Sequence, residues 1–353
     1  MSRNTTIIYA LLSLVLLCGC QGRSPSRSAT RTTSFPSATP VKEYEGEGMG
    51  SVYAFLATLE AEHLSRGDSV NLSAPYLVRA WLKERALNAY FSGRPFGEDL
   101  PCTVPRVAYL LSAYGLYPYD AYPARGDYRQ SVVTRKLWAV VAGARAHPST
   151  LDRLSRSLDL VLDRSMGYLP ARLVHFLGAD YTPQEFARSV CAPGEYVRLV
   201  SFKNLPPGNL SMDSSTGFYP LELGGMPTRN LPLDSLTRHL RMAVEAGHAV
   251  CWEGDTTNID FRHRQAWWVT LSSPSTDEAS SRQRAFERLS FTLDHAFAIV
   301  GMTRHGGEVY YRCKNCRGVG WGDQGYVYLS ESYVRRYTFA LTMNQTALLG
   351  QPW

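Results

Sequence analysis

No run of apolar residues in this 353-residue chain reaches the roughly 18 or more that a membrane-spanning helix needs; the stretch from Ile7 to Leu17 stops short. A second Cys-x-x-Cys or a paired histidine motif to accompany Cys313-Lys314-Asn315-Cys316 is also missing, so that spacing, half of a zinc site, gives four-ligand zinc only weak support. Asp255, Asp260 and Asp294 are scattered without the spacing of a calcium loop, and no metal or other cofactor is expected. There is no internal repeat. A genuine basic excess is absent too: of the formal charge of +6, Arg3, Arg23, Arg27 and Arg31 sit in the first 31 residues and leave about +2 for the remainder. Nucleic acid is therefore not an expected partner.

What is present begins with an export signal. One charge, Arg3, precedes the short apolar run, which ends in Leu17-Cys18-Gly19-Cys20. Small residues before a cysteine are what lipoprotein processing requires, so residues 1–19 read as the signal and Cys20 as the acylated first residue. Several acyl chains on one terminus give stable anchoring where one binds only marginally. From residue 20 to 41 the chain is nearly all Ser, Thr, Pro, Arg, Ala and Gly and cannot repay the entropy of folding, which makes it a disordered tether. Its arginines suit an anionic lipid surface. The expected location is the cell envelope, with Gln21 after Cys20 pointing to the outer membrane.

The remaining residues, 42–353, suffice for two lobes. Helical spacing marks Val52, Phe55, Leu56, Leu59 and Leu64, then Tyr76 to Leu87, Val104 to Tyr114, Val132 to Ala146 and Leu151 to Leu162. After Pro193-Gly194 short β-prone runs take over: Tyr196 to Phe202, His248 to Trp252, His295 to Met302, Glu308 to Cys313 and Tyr326 to Leu329, with one helix near Leu233 to Ala246. The expectation is α+β: a helical lobe over about 42–193, an antiparallel sheet lobe over about 194–345 with a cleft between them, and a tail from 346 to 353.

Three segments carry the functional signal. Gly46-Glu47-Gly48-Met49-Gly50-Ser51-Val52-Tyr53 turns into the first helix, Asp294-His295-Ala296-Phe297 opens a strand, and Lys314-Asn315-Cys316-Arg317-Gly318 ends one. Together with Leu59-Glu60-Ala61-Glu62, Asn71-Leu72-Ser73, Tyr114-Gly115-Leu116-Tyr117-Pro118 and Gly325-Tyr326-Val327-Tyr328-Leu329-Ser330, they resemble the papain-like cysteine peptidases. Within those the likeness is to the bleomycin hydrolase and aminopeptidase C branch, most nearly its exported Bacteroides-like forms. The resemblance spans about Lys42 to Leu348 and implies a two-lobed papain-like fold.

In that family a cysteine at a helix N-terminus is held as thiolate by the helix dipole and an imidazolium, whose ring an Asn amide fixes. The resemblance puts His295 and Asn315 at the base and orienting positions, but Gly50 at the nucleophile and Tyr44 where a Gln donates to the oxyanion. Cys316-Arg317-Gly318 replaces Ser-Trp-Gly. The resemblance thus implies an inactive homologue, a membrane-anchored module binding a peptide or protein ligand in its cleft. The alternative is an active cysteine-type aminopeptidase or endopeptidase with a displaced nucleophile. Homo-oligomers, hexameric in related enzymes, are implied as well, as is a tail that enters the cleft with Trp353.

Ser51 is expected to cap its helix rather than substitute as nucleophile, because a one-residue offset turns a side chain by about 100 degrees. Cys313 and Cys316 are open to three uses: a strained disulfide, two thiols beside the cleft, or, for Cys316, a migrated nucleophile. Neither Cys20 nor Cys102 is near enough in sequence to slip into register with Gly50. The pair Trp267-Trp268 is expected to pack rather than to form a stacking face.

Overall fold

The computed structural model describes residues 38–348 apart from 45, 47, 95–101, 126–127, 149, 171, 211–225 and 265. The leader, Cys20, most of the tether and Trp353 lie outside the described residues. Among the described residues no helix is long and apolar enough to cross a membrane.

The helical lobe opens with α1 (Gly50–Ser65), whose residues are buried almost all round, from Val52, Phe55, Leu56 and Leu59 to the polar Thr58, Glu60 and Glu62. A helix buried on every face sits at the centre of a fold, and this one packs against strands of the sheet as well as against its helical neighbours. Next come α2 (Ala74–Ser92), capped by the Ser73 hydroxyl on the Tyr76 amide, α3 (Val104–Tyr114), α4 (Gln130–Ala146) and α5 (Leu151–Met166). Two short strands, β1 (Val174–Phe176) and β2 (Ala179–Tyr181), form an unforeseen hairpin before α6 (Pro183–Val190). That last helix starts in a Thr182/Glu185 capping box, each side chain bonding the other's backbone N–H.

The β lobe contains β3 (Tyr196–Val200), β4 (Gly208–Leu210), β5 (Thr228–Asn230), α7 (Leu233–Glu245), β6 (Val250–Gly254), α8 (Ile259–Arg262), β7 (Trp268–Val269), α9 (Glu278–Glu287), β8 (His295–His305), β9 (Glu308–Lys314), β10 (Tyr326–Ser330), α10 (Glu331–Tyr337) and β11 (Thr338–Asn344). The nine strands form one sheet in the order β4-β5-β3-β11-β6-β8-β9-β10-β7. Its centre is antiparallel as expected, but β5 runs parallel to β3 and β7 parallel to β10, so the whole sheet is mixed. Both exceptions follow long excursions of chain, the connection that parallel neighbours require.

One core fills the helical lobe and reaches across to Cys251, Ala296 and Cys316; another lies under the sheet around Trp252, Phe297, Tyr311 and Leu341. Ala347 and Leu348, the start of the tail, are buried in the sheet's own core. Thr39 to Val41, assigned to the tether by composition, belong to the folded body: Lys314 Nζ donates to the Thr39 carbonyl at 2.7 Å and to its hydroxyl at 2.8 Å. Glu60 on α1 accepts from Thr39, from Lys42 and from the Leu72 amide at 2.7 Å.

One glycine fixes how α3 meets α6. Gly115 has φ +79°, and a Cβ there would lie 2.2 Å from the backbone carbon of Pro183, whose carbonyl accepts from the Leu116 amide at 2.9 Å. Gly115→Ala should therefore cost more than about 1 kcal/mol, because both the left-handed backbone and the close approach exclude a side chain. A denaturant titration checks this; an unchanged midpoint would contradict it.

Candidate active site

The sheet places the histidine. His295 is the first residue of β8, and β9, its antiparallel neighbour, delivers Asn315 one residue past its own end. Asn315 Oδ1 accepts from the Cys316 backbone N–H at 2.8 Å, and a backbone amide can only donate, which fixes the amide's orientation. The same oxygen lies 2.9 Å from His295 Nε2, so that nitrogen carries the proton. Nδ1 is then the basic atom. It faces α1.

Gly50 is the first residue of α1, and its φ is not in the left-handed region. A Cβ at this position would lie 3.4 Å from His295 Nδ1, 3.6 Å from Cε1 and 3.6 Å from the Ala296 amide nitrogen, an ordinary contact distance. The helix has no acidic residue in its first turn and no side-chain cap. Gly50, His295 and Asn315 are thus brought together with helix N-terminus, basic nitrogen and orienting amide in line, and a hydrogen atom where a side chain would meet the base.

Burial lowers the pKa of His295, and the Asn315 hydrogen bond opposes that shift without overcoming it. The ring edge packs on Phe297 with centroids 4.6 Å apart. The folded-state pKa lies below the unfolded value of about 6.5, so between the two the unfolded chain binds a proton that the native state refuses. This contribution to stability is complete above about pH 6.5 and declines as pH falls through it. Denaturant titrations from pH 7.5 to pH 5.5 should show that decline, and it should shrink in His295→Ala.

Other expected residues lie elsewhere. The Tyr44 hydroxyl donates to Gln130 Oε1, and its ring stacks on Tyr53 at 4.9 Å. Its ring also fills the space over Gly46, so the position assigned to an oxyanion donor points into the helical lobe. Ser51 does not cap: it is the second residue of α1, after the non-capping Met49, and its hydroxyl donates to Glu253 Oε1 at 3.3 Å. Asp255, Asp260 and Asp294 shape loops; Asp294 alone accepts from the Thr256 amide at 3.0 Å and the Thr292 hydroxyl at 2.9 Å. Trp268 stacks between His305 at 4.4 Å and Tyr328 at 4.3 Å, a packing role.

Cys313 and Cys316 are both thiols and face different cores: Cys313, on β9, lies in the sheet's core, and Cys316, two residues past the end of β9, in the helical-lobe core. The disulfide is excluded. Burial pushes the Cys316 thiol up to about 12 and Cys313 higher still, so neither is poised as a thiolate.

Two features were missed in the sequence. Cys102 borders the same cavity of about 10 Å³ as Gly50, Ser51 and His295, although 52 positions separate it from Gly50. Its backbone N–H donates to the Gly48 carbonyl at 2.7 Å, which pins it there. The second is the pair Arg198 and Glu253, both wholly buried: Arg198 Nε and Nη2 donate to Glu253 Oε2 at 3.2 and 2.8 Å. Glu253 Oε1 accepts from the Val104 amide at 3.0 Å besides Ser51. A charge after Val250-Cys251-Trp252, where the strand is otherwise apolar, was the available signal.

No family model and no curated protein matches the chain. Solved structures do. PepW from Lactobacillus rhamnosis HN001 is similar with a TM-score of 0.63 at 14% identity, over 98% of this chain and 90% of that one. A structure addressing the mite allergens Blo t 1 and Der p 1 gives 0.41 at 13%, over 93% of this chain and 73% of that one. The Carica candamarcensis cysteine protease CMS1MS2 in complex with E-64 gives 0.41 at 15%, over 87% and 93%. The chain has the α+β, two-lobed papain-like fold.

Proposed function

We propose that this chain is a papain-fold module that does not hydrolyse peptides and instead binds a peptide or protein ligand across the face bearing His295, tethered to the cell envelope through lipid on Cys20. The observation that carries the reading is the 3.4 Å from His295 Nδ1 to a Cβ that Gly50 lacks. The imidazole is oriented for a partner and has none at that position, and deleting a catalytic nucleophile costs on the order of a millionfold in turnover. With Tyr44 engaged by Gln130, the usual oxyanion donor is lacking as well. The opening at Gly50, about 10 Å³, admits one water-sized sphere. Recognition there would rest on extended backbone lying across the rim rather than on a side chain filling a pocket.

A second reading, a cysteine-type peptidase with a displaced nucleophile, gains support from Cys102 at the cavity beside His295. Against it, the Cys102 thiol points to the Thr103 carbonyl, at 3.9 Å, and is wholly buried. Fluorogenic aminoacyl and dipeptidyl substrates decide between the two. No turnover above the buffer rate is expected of the wild type. Turnover that a thiol alkylator and Cys102→Ser both abolish would replace the first reading with the second.

A further inference from the structure

The helical lobe carries a basic pit that shares no residue with the cavity at His295. It is about 220 Å³ in volume and lies where the loop before α4 and the start of α4 meet the end of α5. Four cations line it: Arg125 from the loop, Arg129 and Lys136 from α4 and its N-cap, and Arg164 from α5. Among the described residues no Asp or Glu lines the pit, and none of the four cations forms an ion pair. Several cations elsewhere on this lobe are paired, such as Arg79 with Asp163 at 2.7 Å, Lys83 with Asp159 at 2.8 Å and Arg156 with Asp152 at 2.5 Å.

Three other features suit the pit to an anion. The N-terminus of α4 opens here with no side-chain cap and no acidic residue in its first turn, so its partial positive charge faces the pit. At the α5 end, where carbonyls would repel an anion, Arg125 Nη1 donates to the Arg164 carbonyl at 2.9 Å, and Arg79 Nη1 to that of Gly167 at 3.0 Å. Ser165 borders the pit with a hydroxyl oxygen that has no hydrogen-bond partner. Four like charges around one hollow repel one another, and a multivalent anion between them removes that cost.

We infer that this pit binds a phosphate-bearing group of two or more negative charges. A lone carboxylate would leave most of the repulsion in place, whereas phosphate oxygens accept from several guanidinium groups at once, the pairing for which arginine's planar fork is suited. The volume holds a phosphomonoester with a small organic portion or a diphosphate, and Val132 and Val133 supply an apolar wall. Such a group reaches the pit either on a soluble metabolite or on an anionic lipid head.

The test uses the full chain in non-ionic detergent at low ionic strength, with inorganic pyrophosphate as the soluble probe and mixed micelles carrying phosphatidic acid as the lipid probe. Binding is read by titration calorimetry and by thermal stabilisation. Saturable binding of at least one probe is expected, weakening as salt rises. Arg129→Ala with Lys136→Ala should weaken it at least about tenfold, the loss of one or two charge-assisted hydrogen bonds. The side chains of Arg129 and Lys136 are exposed, so their truncation leaves the core untouched, and unchanged melting without ligand verifies this. Arg288→Ala with Arg304→Ala, two exposed cations of the β lobe, should bind as wild type does. Binding of micelles alone identifies a lipid head as the source, and binding of pyrophosphate alone a soluble phosphate. Absence of binding by both probes, or equal affinity in wild type and pit variant, overturns the inference.

Discussion

Gly50→Cys should convert this protein into a thiol nucleophile, the largest functional change that a single substitution can make in it. The new Cβ needs no displaced neighbour, since it meets His295 and Ala296 at 3.4 to 3.6 Å and the backbone is one that any residue adopts. The sulfur would have the adjoining cavity to enter. Two effects lower its pKa: the uncapped start of α1, and proton transfer to Nδ1, which gives an imidazolium beside the thiolate. At pH 6 the variant should react with iodoacetamide about tenfold or more faster than an unperturbed thiol, after allowance for the lower nucleophilicity of an acidic thiolate. A Cys102→Ser background isolates the new group from the thiol already at the cavity.

Turnover of aminoacyl or dipeptidyl substrates should then appear above the wild-type floor and vanish when His295→Ala is added. It should stay well below that of an enzyme with a complete oxyanion site. Tyr44 is turned to Gln130, and what remains to donate is the backbone N–H at the start of α1, which has no helical partner. An alkylation rate in the variant no faster than that of a simple thiol would sink the assignment of Gly50 to the nucleophile position. Fast alkylation without turnover would keep the assignment and locate the remaining defect in substrate binding or oxyanion stabilisation.

Glu253→Ala is expected to have the largest effect on stability. The substitution removes the carboxylate partner of the wholly buried Arg198 guanidinium, frees the Val104 amide at the start of α3 and removes the acceptor of the Ser51 hydroxyl on α1. Breaking a buried ion pair on one side costs about 3–5 kcal/mol, against a total stability of about 5–15 kcal/mol for a typical domain. Glu253→Leu combined with Arg198→Met should recover most of the loss, because two apolar side chains of similar volume need no partners. Denaturant midpoints of the three variants decide this. If Glu253→Ala unfolds where wild type does, the pair is not holding α1, α3 and the sheet together. The cluster also explains why Ser51 is no cap: its hydroxyl is drawn to a carboxylate of the opposite lobe.

The sequence by itself settled whatever depends on neighbours a few positions apart. Helical spacing located α1 to α5 and α7, and the strand runs located β3, β6, β8, β9 and β10; that Gly50, His295 and Asn315 would lie at related positions was implied by the resemblance to papain-like peptidases, not by spacing alone. Periodicity and turn chemistry act within one or two turns of chain, so they can be read without knowing what lies opposite. Short elements escaped that reading, since β1, β2, β4, β5 and β7 span two or three residues each, too few to show a period; so did the longer α6, α9, α10 and the central strand β11, Thr338–Asn344, which is buried throughout and so lacks an alternating pattern. Only the tertiary structure decided that Ser51 bonds Glu253 from 202 positions away, that Tyr44 turns to Gln130 across 86, and that Cys102 borders the cavity at Gly50. It also separated Cys313 from Cys316, because β9 ends at Lys314 and the chain beyond it packs on the other core, and gathered Arg125, Arg129, Lys136 and Arg164 around one hollow. Such contacts are fixed by which faces the lobes bury against each other, and the energy that selects them belongs to the packed whole rather than to any local stretch of residues.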